Sequence, residues 1–172
     1  MARMTIKRWF WAWDFEEEEA WLNEMAYHGW VLDKVGFCKY YFKFYEPREY
    51  VVRLQMLENN PAMAESQEYI EFVEDTGAEY IGSVAKWVYF RKKAVDGRFE
   101  LFSDISSMMN HLKRIINMAL LCMALNLFLG INALQYSPLG ILNLAFAAIL
   151  AYGGYRLSLK KKRLEKNHIL HE

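Results

Sequence analysis

Ile115–Leu134 reads IINMALLCMALNLFLGINAL, and Leu139–Tyr155 reads LGILNLAFAAILAYGGY. Neither run contains a formal charge. A helix that crosses a bilayer needs about 20 predominantly apolar residues, within a range of about 17 to 25, and both runs fit. The link between them, Gln135-Tyr136-Ser137-Pro138, is uncharged as well. Basic residues gather outside: Lys113 and Arg114 before the first run, Arg156, Lys160, Lys161, Lys162 and Arg163 after the second. The pattern predicts a transmembrane hairpin with both ends on one side, and the excess of Lys and Arg makes that side the cytoplasm. No Asp, Glu, Lys or Arg lies within either run, which argues against a proton or ion pathway.

The chain has 172 residues. The hairpin and tail take about 70 of them, which leaves about 100 for one folded domain of ordinary size. The expected division is residues 1–102 as a cytoplasmic domain, 103–114 as a juxtamembrane helix, 115–134 and 139–157 as the two spans, 135–138 as a short external link and 158–172 as a basic cytoplasmic tail. Lys plus Arg equals Asp plus Glu at 21 each, so the whole chain is not a polyanion binder. Acid collects in the N-terminal part (Glu16 to Glu19, Glu65, Glu68, Glu71, Glu74, Asp75) and base collects beside the spans. That split predicts contact with anionic lipid at the tail alone. The two cysteines, Cys38 and Cys122, fall in the N-terminal part and in a span, so no disulfide framework is expected. Met1 to Trp13 carries Arg3, Lys7 and Arg8 without an apolar run, so no signal peptide is expected either.

The N-terminal part alternates strand and helix signals. Ile6 to Trp13 is aromatic and partly alternating, and reads as a strand. Asp14 is placed to cap the next helix, with Glu17 three residues on as its capping-box partner. Ala20, Trp21, Leu22 and Met25 supply that helix's apolar stripe, and Gly29 closes it. Val31 to Tyr45 reads as two strands turning near Val35-Gly36, and Tyr50 to Leu57 as a third. Asn60-Pro61 opens a second helix, whose buried face takes Tyr69, Ile70, Val73 and Phe72 and which ends at Gly77. Glu79 to Ser83 and Ala85 to Lys92 read as the last strand pair. Ser103 or Asp104 caps a long helix leading into the first span.

The order strand-helix-strand-strand therefore occurs twice. Trp21-Leu22 matches Tyr69-Ile70, Gly29 matches Gly77, Leu32 matches Tyr80 and Tyr41-Phe42-Lys43 matches Tyr89-Phe90-Arg91, all at an offset of 48. The register holds across a helix, its cap and a strand, which points to duplication. The predicted fold is α+β: a duplicated strand-helix-strand-strand domain, an antiparallel sheet with helices on one face, followed by the two-helix transmembrane hairpin.

Strand alternation separates the residues into faces. Cys38, Tyr40, Phe42 and Phe44 point one way, and Lys39, Tyr41, Lys43 and Tyr45 the other. Val88 and Phe90 oppose Trp87, Tyr89 and Arg91. With helices over the Phe42/Phe90 face, the opposite face carries Tyr41, Tyr45, Trp87, Tyr89, Lys43, Arg53 and Arg91, joined by either Trp9/Trp11/Trp13 or Phe10/Ala12. A two-layer domain leaves that face to be covered. It is either a ligand or partner platform, with Trp87, Tyr89, Tyr41, Tyr45, Arg53, Arg91 and Trp11 as its binding residues, or a patch filled by self-association or the juxtamembrane segment. The acidic domain argues against nucleic acid.

Other motifs are silent. Glu16 to Glu19 reads as a solvated helix start whose charges suit the helix dipole. His28, His111, His168 and His171 show no ligand spacing, so no metal is expected. No nucleophile elbow, phosphate loop or dinucleotide fingerprint occurs, so neither an enzyme nor a cofactor is expected. In the spans, Asn132 and Asn143 lie at similar depth and can bond across the hairpin, while Ala147, Ala151 and Gly154 form a small-residue stripe for helix packing or homo-oligomerisation.

Trp13-Asp14-Phe15, Glu18-x-x-Trp21-Leu22-Asn23-Glu24-Met25, Gly29-Trp30-x-Leu32, Glu49-Tyr50-x-x-Arg53 and Trp87-x-Tyr89-Phe90-Arg91 together resemble a bacterial membrane family catalogued as domain of unknown function 2812. The resemblance covers residues 5 to 105. It implies paired spanning helices after the domain, genomic neighbours of the PadR repressor type, and the plasma membrane (inner membrane) of a bacterium as location with both termini cytoplasmic. It supplies no reaction. Gly77-Ala78 departs from the family's usual Gly-Trp. The duplicated order also looks like the GyrI-like effector-binding fold, in which two such units flank a cleft for apolar, often cationic, molecules. The expected function is a membrane-anchored, non-catalytic sensing or partner-binding module, acting on an unknown protein or small molecule through the aromatic sheet face. The alternative is an accessory subunit of a membrane complex, such as a transporter, assembled through the hairpin.

Overall fold

A computed structural model of the chain describes residues 2–102 and 104–169. The chain divides into two compact units, Met1–Ser103 and Asp104–Glu172. The first contains β1 (Arg3–Lys7), a 3-10 turn (Ala12–Asp14), α1 (Phe15–Tyr27), β2 (Trp30–Gly36), β3 (Lys39–Phe44), β4 (Tyr50–Met56), α2 (Ala64–Asp75), β5 (Glu79–Val84) and β6 (Trp87–Lys93).

The strands form two antiparallel three-stranded sheets, ordered β1-β3-β2 and β4-β6-β5, where the sequence reading expects a single sheet. The duplication is written into both. β2 slips register between Leu32 and Lys34, and β5 slips at the equivalent place between Tyr80 and Gly82. Gly29 and Gly77 both end their helices at φ 88°. β2 and β5 lie side by side, since a Cβ on Gly82 would stand 3.5 Å from Val35 Cγ1. The bulges in both strands interrupt the regular row of donors and acceptors that one continuous ladder would need, so the sheets meet without merging.

The far edge of the second sheet, β4, is closed by α1. Asn23 Nδ2 donates to the Val52 carbonyl at 2.9 Å, the Val52 N–H donates to Asn23 Oδ1 at 2.9 Å, and the Leu54 N–H donates to Glu19 Oε2 at 3.2 Å. One Asn side chain therefore supplies both partners that a neighbouring strand would offer, and the edge is no longer open to pairing. On the other side of this sheet, Ile70 and Val73 of α2 pack with Val88 and Phe90 in a core that includes Leu57, Ala78 and Phe99. The second sheet is thus covered on both faces.

Several boundaries move. β1 ends at Lys7, six residues before the expected Trp13. Beyond it Trp9 to Trp13 leaves the ladder, and the Asp14 N–H bonds back to the Trp11 carbonyl to close a 3-10 turn. Asp14 consequently has φ −100° and ψ 23°, not the extended backbone of a capping residue, and its side chain makes no cap bond. The β2–β3 turn falls on Phe37-Cys38, two residues late, with Cys38 at φ 53°. Asn60 Oδ1 accepts the Ala62 N–H at 3.0 Å, an Asx-type turn that holds α2 back until Ala64. Phe72 is 65% exposed and so is not part of that helix's buried face. In α1 the buried stripe is Phe15, Glu18, Leu22 and Ala26, while Ala20 is exposed and Trp21 and Met25 are half-buried.

The second unit is a helical hairpin of α3 (Ile105–Ala133) and α4 (Leu139–Ile169). Asp104 caps α3, accepting the Ser107 N–H at 2.6 Å; the other expected cap, Ser103, lies outside the described residues. Both helices are long and apolar enough to cross a membrane, and only 17% and 28% of their apolar windows are buried within the structure. Leu121, Phe128, Ile131 and Leu142 all point outward. The backbones come close at Gly130 and Gly140, where a Cβ on Gly140 would stand 2.7 Å from the Gly130 carbonyl. Along the expected stripe Ala147 is buried, Ala151 is exposed and a Cβ on Gly154 would meet nothing within 4 Å. Asn132 bonds the Phe128 carbonyl of its own helix at 2.7 Å, not Asn143 across the hairpin. Asn143 is half-buried.

The two helix-ending glycines are not equivalent in space. A non-glycine residue pays about 1–2 kcal/mol in this left-handed backbone at either position. At Gly29 the new Cβ would also stand 2.8 Å from the Tyr45 carbonyl, whereas at Gly77 its nearest neighbour is Lys92 Cε at 3.7 Å. Gly29→Ala therefore destabilises the first unit more than Gly77→Ala. Denaturant unfolding followed by tryptophan emission measures both; equal losses would refute the assignment.

Candidate functional site

Glu18 sits on the buried stripe of α1 and is 7% exposed. Tyr40 of β3 and Tyr89 of β6 both donate their hydroxyls to its Oε1, each at 2.7 Å. The two tyrosines are not equivalent in the repeat. Tyr40 lies on the Phe42 face of the first sheet, and Tyr89 lies on the second sheet's face opposite Phe90. One carboxylate oxygen thus joins both sheets through the helix between them.

This arrangement changes the expected aromatic platform. On the second sheet that face is covered, with α1 over Tyr89: Tyr89 is 4% exposed and Arg91 9%, and their β4 neighbours Leu54 and Val52 are buried. Arg91 Nε and Nη2 reach Glu79 Oε2 at 2.7 and 2.6 Å, and Nη1 donates to the Leu32 carbonyl at 3.0 Å. Its guanidinium also stands over the rings of Tyr50 and Tyr45, at 5.1 and 5.5 Å. Arg53 pairs with Glu19 at 3.3 Å and donates to the Phe99 carbonyl at 3.0 Å. Trp87 meets the Phe15 ring of α1 at 5.8 Å. Trp11 stacks on Trp13, with ring centroids 4.9 Å apart. Tyr41 stays half-exposed on the other side of the first sheet. Of the expected binding residues, Arg91 stands over Tyr45, and Tyr89 reaches Glu18.

Aromatic rings surround the Glu18 contact. Trp21 lies edge-on to Tyr40 at 5.0 Å, and Phe10 contacts Trp21 at 5.6 Å and Tyr40 at 6.3 Å. The Arg8 guanidinium covers Phe10 and Trp21 at 4.7 and 4.8 Å. Burial raises the Glu18 pKa, and the Tyr40 and Tyr89 hydroxyls only partly offset that rise. Among the described residues no basic side chain contributes to the shift. Glu19 differs: burial raises its pKa as well, but the Arg53 charge opposes the rise. Burial and the nearby Glu18 charge push both tyrosines above the ordinary tyrosine range.

Glu18 is hidden in sequence by the Glu16 to Glu19 run. Glu16 and Glu17 are indeed exposed, as a solvated helix start should be, but Glu18 is not. The signal is its spacing: Phe15, Glu18, Leu22 and Ala26 form a 3-4-4 series, which puts an acid on an apolar stripe.

The family model described as "Protein of unknown function (DUF2812)" matches residues 14–124. No curated protein and no solved structure matches the chain.

The raised Glu18 pKa means that the folded state binds this proton more tightly than the unfolded state does. Its contribution to stability is full below the ordinary glutamate value of 4.5 and is lost as pH rises through the higher folded value. Glu18→Gln keeps an acceptor for the hydroxyls and removes the charge, so the decline of stability above pH 4.5 flattens, with Glu19 supplying the remaining slope. Glu18→Ala strands two buried hydroxyls and costs about 1–3 kcal/mol. Unfolding curves across this pH range check both; an unchanged slope in Glu18→Gln would contradict the assignment.

Proposed function

The chain belongs to the DUF2812 family, whose description names no activity, and we propose from its own geometry that it is a membrane-tethered, non-catalytic binding module for an apolar organic cation. The module sits at the plasma membrane of a bacterium with both termini in the cytoplasm, held there by α3 and α4. One observation carries the reading: the Glu18 carboxylate is buried, its donors are two hydroxyls, and among the described residues it makes no ion pair with a basic side chain. A buried carboxylate is costly unless paired, and a cation entering beside it would supply the missing charge.

The surroundings favour a soft, lipophilic cation over a small hydrated one. Phe10, Trp21 and Tyr40 lie on one side and Phe15 and Trp87 on the other, and the Arg8 guanidinium already lies over Phe10 and Trp21, as cations do on aromatic faces. Entry requires the contact between Glu18 and Tyr89 to open, because both groups are buried. Occupancy would therefore alter how α1 holds the second sheet, which is the change a sensing module needs.

The test uses full-length protein in lipid nanodiscs and tetraphenylphosphonium as the probe. All six tryptophans lie between residues 9 and 87, so their emission reports on the first unit. Saturable quenching is expected in the parent protein. Affinity should be lower by at least about thirty-fold in Glu18→Gln, the usual loss on removing one member of a buried charge pair. Equal affinity in the Gln variant, or no saturable binding to the parent, would overturn the proposal.

A further inference from the structure

The first sheet has a second, outward face whose composition differs from that of its buried face. Register places Arg3 opposite Lys43, Lys7 opposite Lys39, and Thr5 opposite Tyr41, which in turn faces Lys34. Residues directly opposite one another share a face, so these seven line one surface, together with Gly36 opposite Lys39 and, at the Arg3 end, Val31 opposite Lys43, which is buried against Ala26 and Tyr50. Arg3, Lys7, Lys34 and Lys39 are exposed. The reverse face carries Met4, Ile6, Leu32, Val35, Tyr40 and Phe42. Within β1 to β3 the sole acid is Asp33, the extra residue of the β2 bulge, and it pairs with Lys43 at 2.7 Å. The surface is therefore strongly cationic in a unit whose acids line α2, where Glu65, Glu68, Glu71, Glu74 and Asp75 are all exposed.

At the end of this face marked by Lys7 and Lys39, two large rings stand in solvent. Trp9 follows β1 and Phe37 forms the β2–β3 turn; they are 53% and 75% exposed and touch edge-on at 6.0 Å. A tryptophan and a phenylalanine at the tip of a lysine-lined surface match the chemistry of a bilayer interface. There, amphipathic rings settle at headgroup depth and basic side chains meet anionic headgroups.

We propose that the outer face of β1–β3, led by Trp9 and Phe37, docks on anionic lipid headgroups of the membrane to which the chain is tethered. Charge complementarity selects this occupant. A nucleic-acid platform needs successive rings along the strand path, and here Tyr41 is the single ring between the basic residues: Tyr45, beyond Lys43, packs against Tyr50 and Arg91, and Trp9 and Phe37 stand at the opposite tip. The surface also revises the expectation that lipid contact is restricted to the tail. The inference is independent of the cation site at Glu18.

The experiment again uses the full chain in nanodiscs, now with brominated acyl chains and with either zwitterionic or anionic headgroups. Because every tryptophan is in the first unit, bromine quenching reports its approach to the bilayer. Quenching should be stronger in anionic discs and weaken with added salt. It should fall to the zwitterionic level in the triple variant Lys7→Glu, Lys34→Glu, Lys39→Glu, each lysine being worth about five-fold in surface population. Phe37→Ser, which keeps all six tryptophans, should also lower it, with far-UV circular dichroism unchanged in both variants. Equal quenching in the two lipids, or no loss in the well-folded triple variant, would overturn the proposal. So would quenching that appears only in discs holding two copies. An oligonucleotide that binds the parent but not the triple variant, with no lipid effect, would overturn it in favour of nucleic acid. Unaltered quenching in Glu18→Gln is expected and separates this outcome from failure of the cation site.

Discussion

The first unit depends on a helix used by two sheets. α1 covers the inner face of β1–β3 through Trp21, closes the edge of β4 through Asn23 and Glu19, and meets Tyr40 and Tyr89 together at Glu18. In the duplicated plan each helix serves its own sheet, as α2 does through Ile70 and Val73. α1 does that and also serves the neighbour. Glu18 lies on the buried stripe where the helix meets both sheets, and it is tolerated there because two phenols solvate it. Hydrogen bonds to a charged group contribute more than neutral ones, about 1.5–3 kcal/mol each, while desolvation of the carboxylate opposes them. The raised pKa is the sign that desolvation outweighs the hydroxyls.

Much of the architecture was legible because it rests on local chemistry. The two uncharged apolar runs marked α3 and α4, and the glycines at 29 and 77 marked the helix ends. Their common offset revealed a duplication that the matching bulges of β2 and β5 repeat. What escaped was non-local. Nothing within Trp87 to Arg91 says that a helix seventy residues earlier in the chain lies over Tyr89, so that face looked open. The aromatic run after Lys7 alternates like a strand, yet the chain turns there and closes on Asp14. Helix packing in the hairpin followed the same lesson. The Ala147 stripe has suitable spacing, but a close approach also lies at Gly130 and Gly140, near the link, where the chain reverses and the backbones must converge.

Charge in this protein is sorted by surface, which whole-chain counts conceal. Equal numbers of acidic and basic residues resolve into an acidic α2, a basic outer face on β1–β3 and a basic region after the apolar part of α4. Such sorting has an electrostatic consequence. Near an anionic surface the basic face is attracted and the acidic helix repelled, and the preference acts within a Debye length of about 8–10 Å at ordinary ionic strength. The ring pair of Trp9 and Phe37 then adds a short-range apolar contact to a longer-range electrostatic one.

Glu18 couples the two sheets through α1. A double-mutant cycle on Glu18→Ala and Tyr89→Phe, read as unfolding free energies of the full chain, measures that coupling directly. A direct charge-assisted hydrogen bond predicts a coupling energy of about 1 kcal/mol or more, with the double variant losing clearly less than the sum of the single losses. Additivity within about 0.3–0.5 kcal/mol would mean that Glu18 and Tyr89 do not act together, and would contradict the account.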